Sequence, residues 1–126
     1  MRFLALVAIA VVAALSILAS LDPESPLLAL VRRVPGRDTT LHFVLMGGLA
    51  FFVTLGFASA RVQGRGGRRL GVPGCVALVG VAVTLEELLQ IAIPDRVFSW
   101  TDLSASWGGI LAGGILAWMI LRGSSR

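Results

Sequence analysis

The chain of 126 residues contains no lysine and no tyrosine, one cysteine and one histidine. Each shortage removes a class of function. A single cysteine, Cys75, cannot close an intramolecular disulfide, and its place near the start of an apolar run reads as a small packing residue. A lone histidine without zinc-type Cys/His spacing argues against a metal centre; His42, Glu87, Asp38 and Asp102 are the one set that could gather around an ion. No segment resembles a serine triad or a loop that cradles nucleotide phosphates, so no cofactor is expected. Charge is scarce too, at 14% of residues against about 25% in an ordinary soluble domain. The side-chain positive charge is all arginine, confined to short segments between apolar runs, so the net charge of +4 does not indicate a nucleic-acid partner.

What the chain has instead is apolar length. It is 56% hydrophobic, with a mean hydropathy of +0.89. Four apolar runs extend from Phe3 to Ala19, Leu41 to Ala60, Leu70 to Ile93 and Leu103 to Leu121. Each approaches the roughly 20 residues needed to cross a bilayer as a helix. Backbone polar groups must satisfy one another in lipid, so separate runs of this length predict helices rather than strands. The expected fold is all-α: one domain, residues 1–126, forming a four-helix transmembrane bundle with spans at about 3–20, 39–60, 71–93 and 102–121.

The first run has a competing reading, because Arg2, an apolar stretch and the small residues Ala19 and Ser20 also resemble a secretory signal peptide. Its length and the want of a clean small-x-small site before Leu21 favour a retained span. The loop from Arg61 to Arg69 is short, glycine-rich and basic, and reads as cytoplasmic by the positive-inside rule, close enough to touch anionic lipid. With four spans both termini share its side, bringing Arg2, Arg122 and Arg126 there and leaving Arg32, Arg33, Arg37 and Arg96 outside. The expected location is a membrane that the chain crosses several times, with the lipid bilayer as first partner. In the first outer loop, Ser25 followed by Pro26 is a helix-start signal, and Leu27 to Val34 forms either a short interfacial helix or an irregular loop.

Ionisable residues inside the spans are few, and such groups are expensive in lipid. They are His42 at the start of span two and Glu86 and Glu87 near the end of span three. At 1.5 Å per residue His42 lies roughly 6 Å inside Asp38, and Gln90 a similar depth inside Pro94. Glu87 is one turn deeper than Gln90, and Ser106 one turn inside Asp102. Groups from three helices thus reach similar levels near the outer face. Asp38 and His42 share a helical face at i, i+4, and Glu87, Gln90 and Pro94 share another. Span four carries Ala105, Gly109, Gly113 and Ala117 at four-residue spacing, a stripe that packs inside the bundle or forms a seam with another membrane protein.

Plainer readings compete residue by residue. Asp38 can cap span two, and Ser99 with Asp102 has capping-box spacing. Arg96 can anchor at the interface, and Trp100, Trp107 and Trp118 fit aromatic belts. Glu86 is turned about 100° from Glu87 and can pair with Gln90 at i+4. The pair that best supports chemistry is His42 with Glu87.

The segment Asp38-Thr-Thr-Leu-His42-Phe43 resembles the D-K-x-x-H-F opening of VanZ-like proteins. Glu87-Leu-Leu-Gln90, Pro94, Arg96, Ser99 and Asp102 resemble the E-x-x-Q…P-x-R-x-x-S-x-x-D segment of that family. Trp107-Gly108-Gly109 resembles its N-x-x-G close, with Ser106 where asparagine is usual. The likeness runs from about Asp38 to Gly114 and departs at Thr39, Met46 and Ser106, where lysine, tyrosine and asparagine are expected. It implies a small multi-span protein of the cell envelope, placed in the bacterial cytoplasmic (inner) membrane, in a family named for a component of a glycopeptide-resistance cluster, and supplies no settled reaction.

Three functions remain open. The leading one is an accessory or assembly subunit whose polar cluster locks the bundle or meets a partner. The second is an enzyme or binder for an anionic lipid or lipid-linked envelope precursor at the outer leaflet. There Arg96 would hold the anion, Glu87 would exchange a proton with His42, and Asp38, Gln90, Ser99, Asp102 and Ser106 would line the site. The third, proton-coupled transport, is disfavoured because no charge lies at midplane.

Overall fold

A computed structural model describes residues 2–21, 37–58, 71–92 and 98–123 and the isolated positions 24, 26, 29 and 33, without the side chains of Ala19, Ser20, Arg37 and Asp38. Most of the segment from Leu27 to Val34, read as a short interfacial helix or an irregular loop, the basic loop from Arg61 to Arg69, and Pro94 and Arg96 therefore lie outside the described residues.

The described chain is helical throughout, in the order α1 (Arg2–Leu21), α2 (Arg37–Ala58), α3 (Val72–Gln90) and α4 (Trp100–Gly123). Three stretches, Thr39–Ala58, Val72–Gln90 and Trp100–Gly123, are long and apolar enough to cross a membrane. In α1 the apolar stretch Arg2–Leu18 is shorter. Leu78, Val81, Leu85 and Leu89 on α3 are exposed, as are Leu111, Ile115, Met119 and Ile120 on α4. Helices apolar on outer and inner faces alike suit a surrounding solvent of hydrocarbon rather than water.

The helix ends follow from local chemistry. Gly71 caps α3, Pro73 stands in its first turn, and Cys75 N–H donates to Gly71 O at 3.0 Å. Span three was expected to reach Ile93, but the helix stops at Gln90 and tightens through Ile91 N–H to Leu88 O at 3.2 Å and Ala92 N–H to Leu89 O at 3.1 Å. Pro94 explains the early stop, since its ring disfavours helical backbone in the residue before it and opposes the carbonyl four residues back. Span four starts slightly earlier than expected, at Trp100, because Ser99 caps it: Asp102 N–H donates to Ser99 Oγ at 3.3 Å.

Helices α2 and α4 make the most extensive pairing in the bundle. They run in the same direction, and glycine lets their backbones meet. A Cβ added to Gly109 would lie 2.1 Å from Phe43 O, and one added to Gly113 would lie 2.0 Å from Gly47 O. The small-residue stripe of α4 thus lies against α2 of the same chain, with Gly109, Gly113 and Ala117 buried. Gly80 and Gly114, meeting Trp107 and Val76, set α3 antiparallel to α4. The core joins Met46, Ala50 and Val53 of α2 to Cys75, Val79 and Val83 of α3 and Ile110 of α4. Cys75 is a buried thiol, not part of a disulfide, within that core, as its position in an apolar run suggested. Helix α1 packs on α2, and the contact of Ser16 with Glu86 aligns it with α3, so the helices run up and down, and the start of α1 and the end of α4 lie at the same end of the bundle.

Candidate functional site

The polar residues of the spans meet at the end of the bundle where α1 and α3 finish and α2 and α4 begin. His42, in the second turn of α2, is carried against α3 and α4 by the Phe43–Gly47 stretch that docks on Gly109. Its Nδ1 lies 3.3 Å from Ser106 Oγ of α4 and 3.8 Å from Glu87 Oε1 of α3. The Glu87 side chain is 3% exposed and that of His42 25% exposed. Ser106 is fully buried. The first distance is a hydrogen bond, and the second is a charge contact whenever the imidazole is protonated. One ring nitrogen is thus surrounded by a hydroxyl and a carboxylate from two other helices. The other, Nε2, has no partner among the described residues.

A second polar link runs beside the first. Gln90 Nε2 donates to Glu86 Oε1 at 3.1 Å, the i, i+4 pairing open to these residues on one helix. Ser16 of α1 donates to the same Glu86 oxygen. Gln90 shares a face with Glu87, yet its amide is used on Glu86, because a glutamine reaches one turn back along its own helix more readily than three residues back to a carboxylate already turned toward α2.

Of the residues singled out in the sequence, His42, Glu87 and Ser106 are in mutual contact, and Gln90 is buried next to them. Ser99 is occupied as the cap of α4, and Asp102 lies half-buried in the first turn; among the described residues no contact links either to His42 or Glu87. The side chain of Asp38 and all of Arg96 lie outside the described residues. Among the described residues no group of three His, Cys, Asp or Glu side chains could hold a metal ion.

Trp107 departs from the belt position expected of it. Trp100 is 74% exposed and Trp118 44%, whereas Trp107 turns inward over Gly80, where a Cβ would sit 2.3 Å from its ring. Its indole N–H donates to Thr84 Oγ1 at 3.1 Å, and that hydroxyl donates to Gly80 O at 2.8 Å. A glycine one turn before a threonine makes a notch with a hydrogen-bond acceptor at its edge, and an indole fits both parts. This contact fixes the rotation of α4 on which Ser106, the preceding residue, depends. Sequence reasoning missed three members of the arrangement: Ser16, Thr84 and the inward role of Trp107. Ser16 carried a readable signal, as the lone hydroxyl between Arg2 and Ser20 in an otherwise apolar helix.

No protein-family model, curated protein or solved structure matches the chain.

Proposed function

We propose that the protein is a multi-pass, VanZ-like protein of the bacterial cytoplasmic membrane, with both termini inside, that serves the cell envelope as an accessory or assembly subunit whose outer polar end is its working part. The observation that carries this reading is the meeting of His42, Glu87 and Ser106 from three helices at one end of an otherwise apolar bundle. Cross-helix hydrogen bonds inside membranes contribute only about 0.6 kcal/mol on average, so stability alone is a weak reason to keep a glutamate in a span. A partner held at that end supplies a stronger one. The glycine face of α4 is taken up by α2, which leaves Leu111, Ile115 and Met119 as its outward face for a partner helix.

A second reading rests on the one-quarter exposure of His42. With Nδ1 held by Ser106 and backed by Glu87, Nε2 is placed for proton transfer, the division of labour found wherever a carboxylate orients a catalytic imidazole. This favours an enzyme or binder acting on a headgroup or lipid-linked precursor at the outer leaflet. Gentle detergent purification of wild type, His42→Ala and Glu87→Gln, read by native mass spectrometry, separates the two. A copurifying protein lost from both folded variants supports the subunit. A copurifying lipid or lipid-linked sugar lost from them supports the binder. If wild type carries neither, both readings fall.

A further inference from the structure

Adjacent glutamates on a helix point about 100° apart, so Glu86 and Glu87 cannot have the same surroundings. Glu87 is almost fully buried, with its Oε1 turned toward His42. Glu86 is half-buried, and both of its hydrogen bonds, from Ser16 and from Gln90, end on Oε1. Among the described residues its second oxygen, Oε2, has no hydrogen-bond partner. Glu86 is only half-buried, unlike Glu87, so its side chain is partly open at the surface of the bundle. A carboxylate oxygen exposed within an apolar span is costly, and two donors fixing its twin hold it in one orientation.

We infer that Glu86, not Glu87, is the carboxylate that meets the headgroup of an outer-leaflet amphiphile, and that α1 contributes to the site through Ser16, which with Gln90 orients Glu86. Oε2 accepts and does not donate when ionised, and an imidazole with its proton on Nδ1 offers an accepting Nε2. The matching headgroup donates hydrogen bonds, as an ammonium does; a phosphate meets acceptor against acceptor. The inference rests on the outer end being a working site, and it gives the ligand contact to Glu86 where the sequence favours the pair of His42 and Glu87.

Labelling of the full-length protein in lipid nanodiscs with dicyclohexylcarbodiimide, which modifies carboxylic acids reachable from the apolar phase, tests it. Adducts at the neighbouring glutamates are separated by fragment-ion mass spectrometry. The expected result is a several-fold excess of adduct on Glu86 over Glu87, suppressed by dodecyldimethylamine, whose ammonium keeps an N–H donor while its tertiary nitrogen forms no amide, and not by dodecyl phosphate. Ser16→Ala should change the Glu86 yield while Ser16→Thr, which keeps the hydroxyl, restores it; a purely structural Ser16 would leave the yield alone. Equal or greater labelling of Glu87, no labelling of either, or protection by the alkyl phosphate alone overturns the inference. Such a result leaves the function reading standing if His42→Ala and Glu87→Gln still lose their copurifying partner or lipid.

Discussion

The seam between α2 and α4 and the polar end of the bundle use opposite means to join helices. In the seam, glycines remove side chains so that backbones touch, and the gain is dispersion summed over a long contact. At the polar end, hydrogen bonds and the contact of His42 with Glu87 link all four helices through individual polar atoms. The comparison teaches that strength and specialisation are separated along this molecule. The seam supplies rigidity, and the polar end, resting on it, is free to carry groups that stability would not select.

The sharpest way to break the comparison is to fill the seam. Gly113→Val places a side chain against the Gly47 carbonyl and should cost about 3 kcal/mol or more, measured as unfolding free energy in mixed micelles. A loss below that of a polar-end variant would show the ranking to be wrong. Removing the Ser99 cap with Ser99→Ala should cost about 1 kcal/mol, read from the same titration, with fraying confined to the first turn of α4 by amide exchange. A double-mutant cycle with Trp107→Phe and Thr84→Val should return a coupling of about 1 kcal/mol for the indole bond that holds the rotation of α4. The cycle His42→Ala with Glu87→Gln should return a coupling of about 0.6 kcal/mol, while retention of the partner or lipid in native mass spectra is lost outright. A coupling of several kcal/mol would recast the pair as structural. The smallest effect should come from Gly48, where nothing lies within 4 Å of an added Cβ. Gly48→Ala should leave stability unchanged or raise it by up to about 1 kcal/mol.

Much of this was legible in the chain, for reasons particular residues make plain. Apolar length marked the helices to within a few residues, and the proline at 94 explains the end that moved most. Periodicity and depth gave the meeting of His42, Glu87 and Ser106, since each is a polar residue about a turn or two inside the end of its span. What periodicity cannot give is the rotation of one helix against another. That rotation decides whether Trp107 faces the membrane interface or Gly80, and whether Gln90 serves Glu87 or Glu86. It also decides that the hydroxyl at 16 meets a carboxylate 70 residues later.

The parallel pairing of α2 with α4 also bears on how the molecule is made. Helices leave the ribosome in order, and α2 waits through the synthesis of α3 before its principal partner exists. During that interval the backbone that Gly47 exposes is open to lipid, and His42 has no Ser106 beside it. The seam and the polar end both need α4, so they form together in one closing step once that helix has been made.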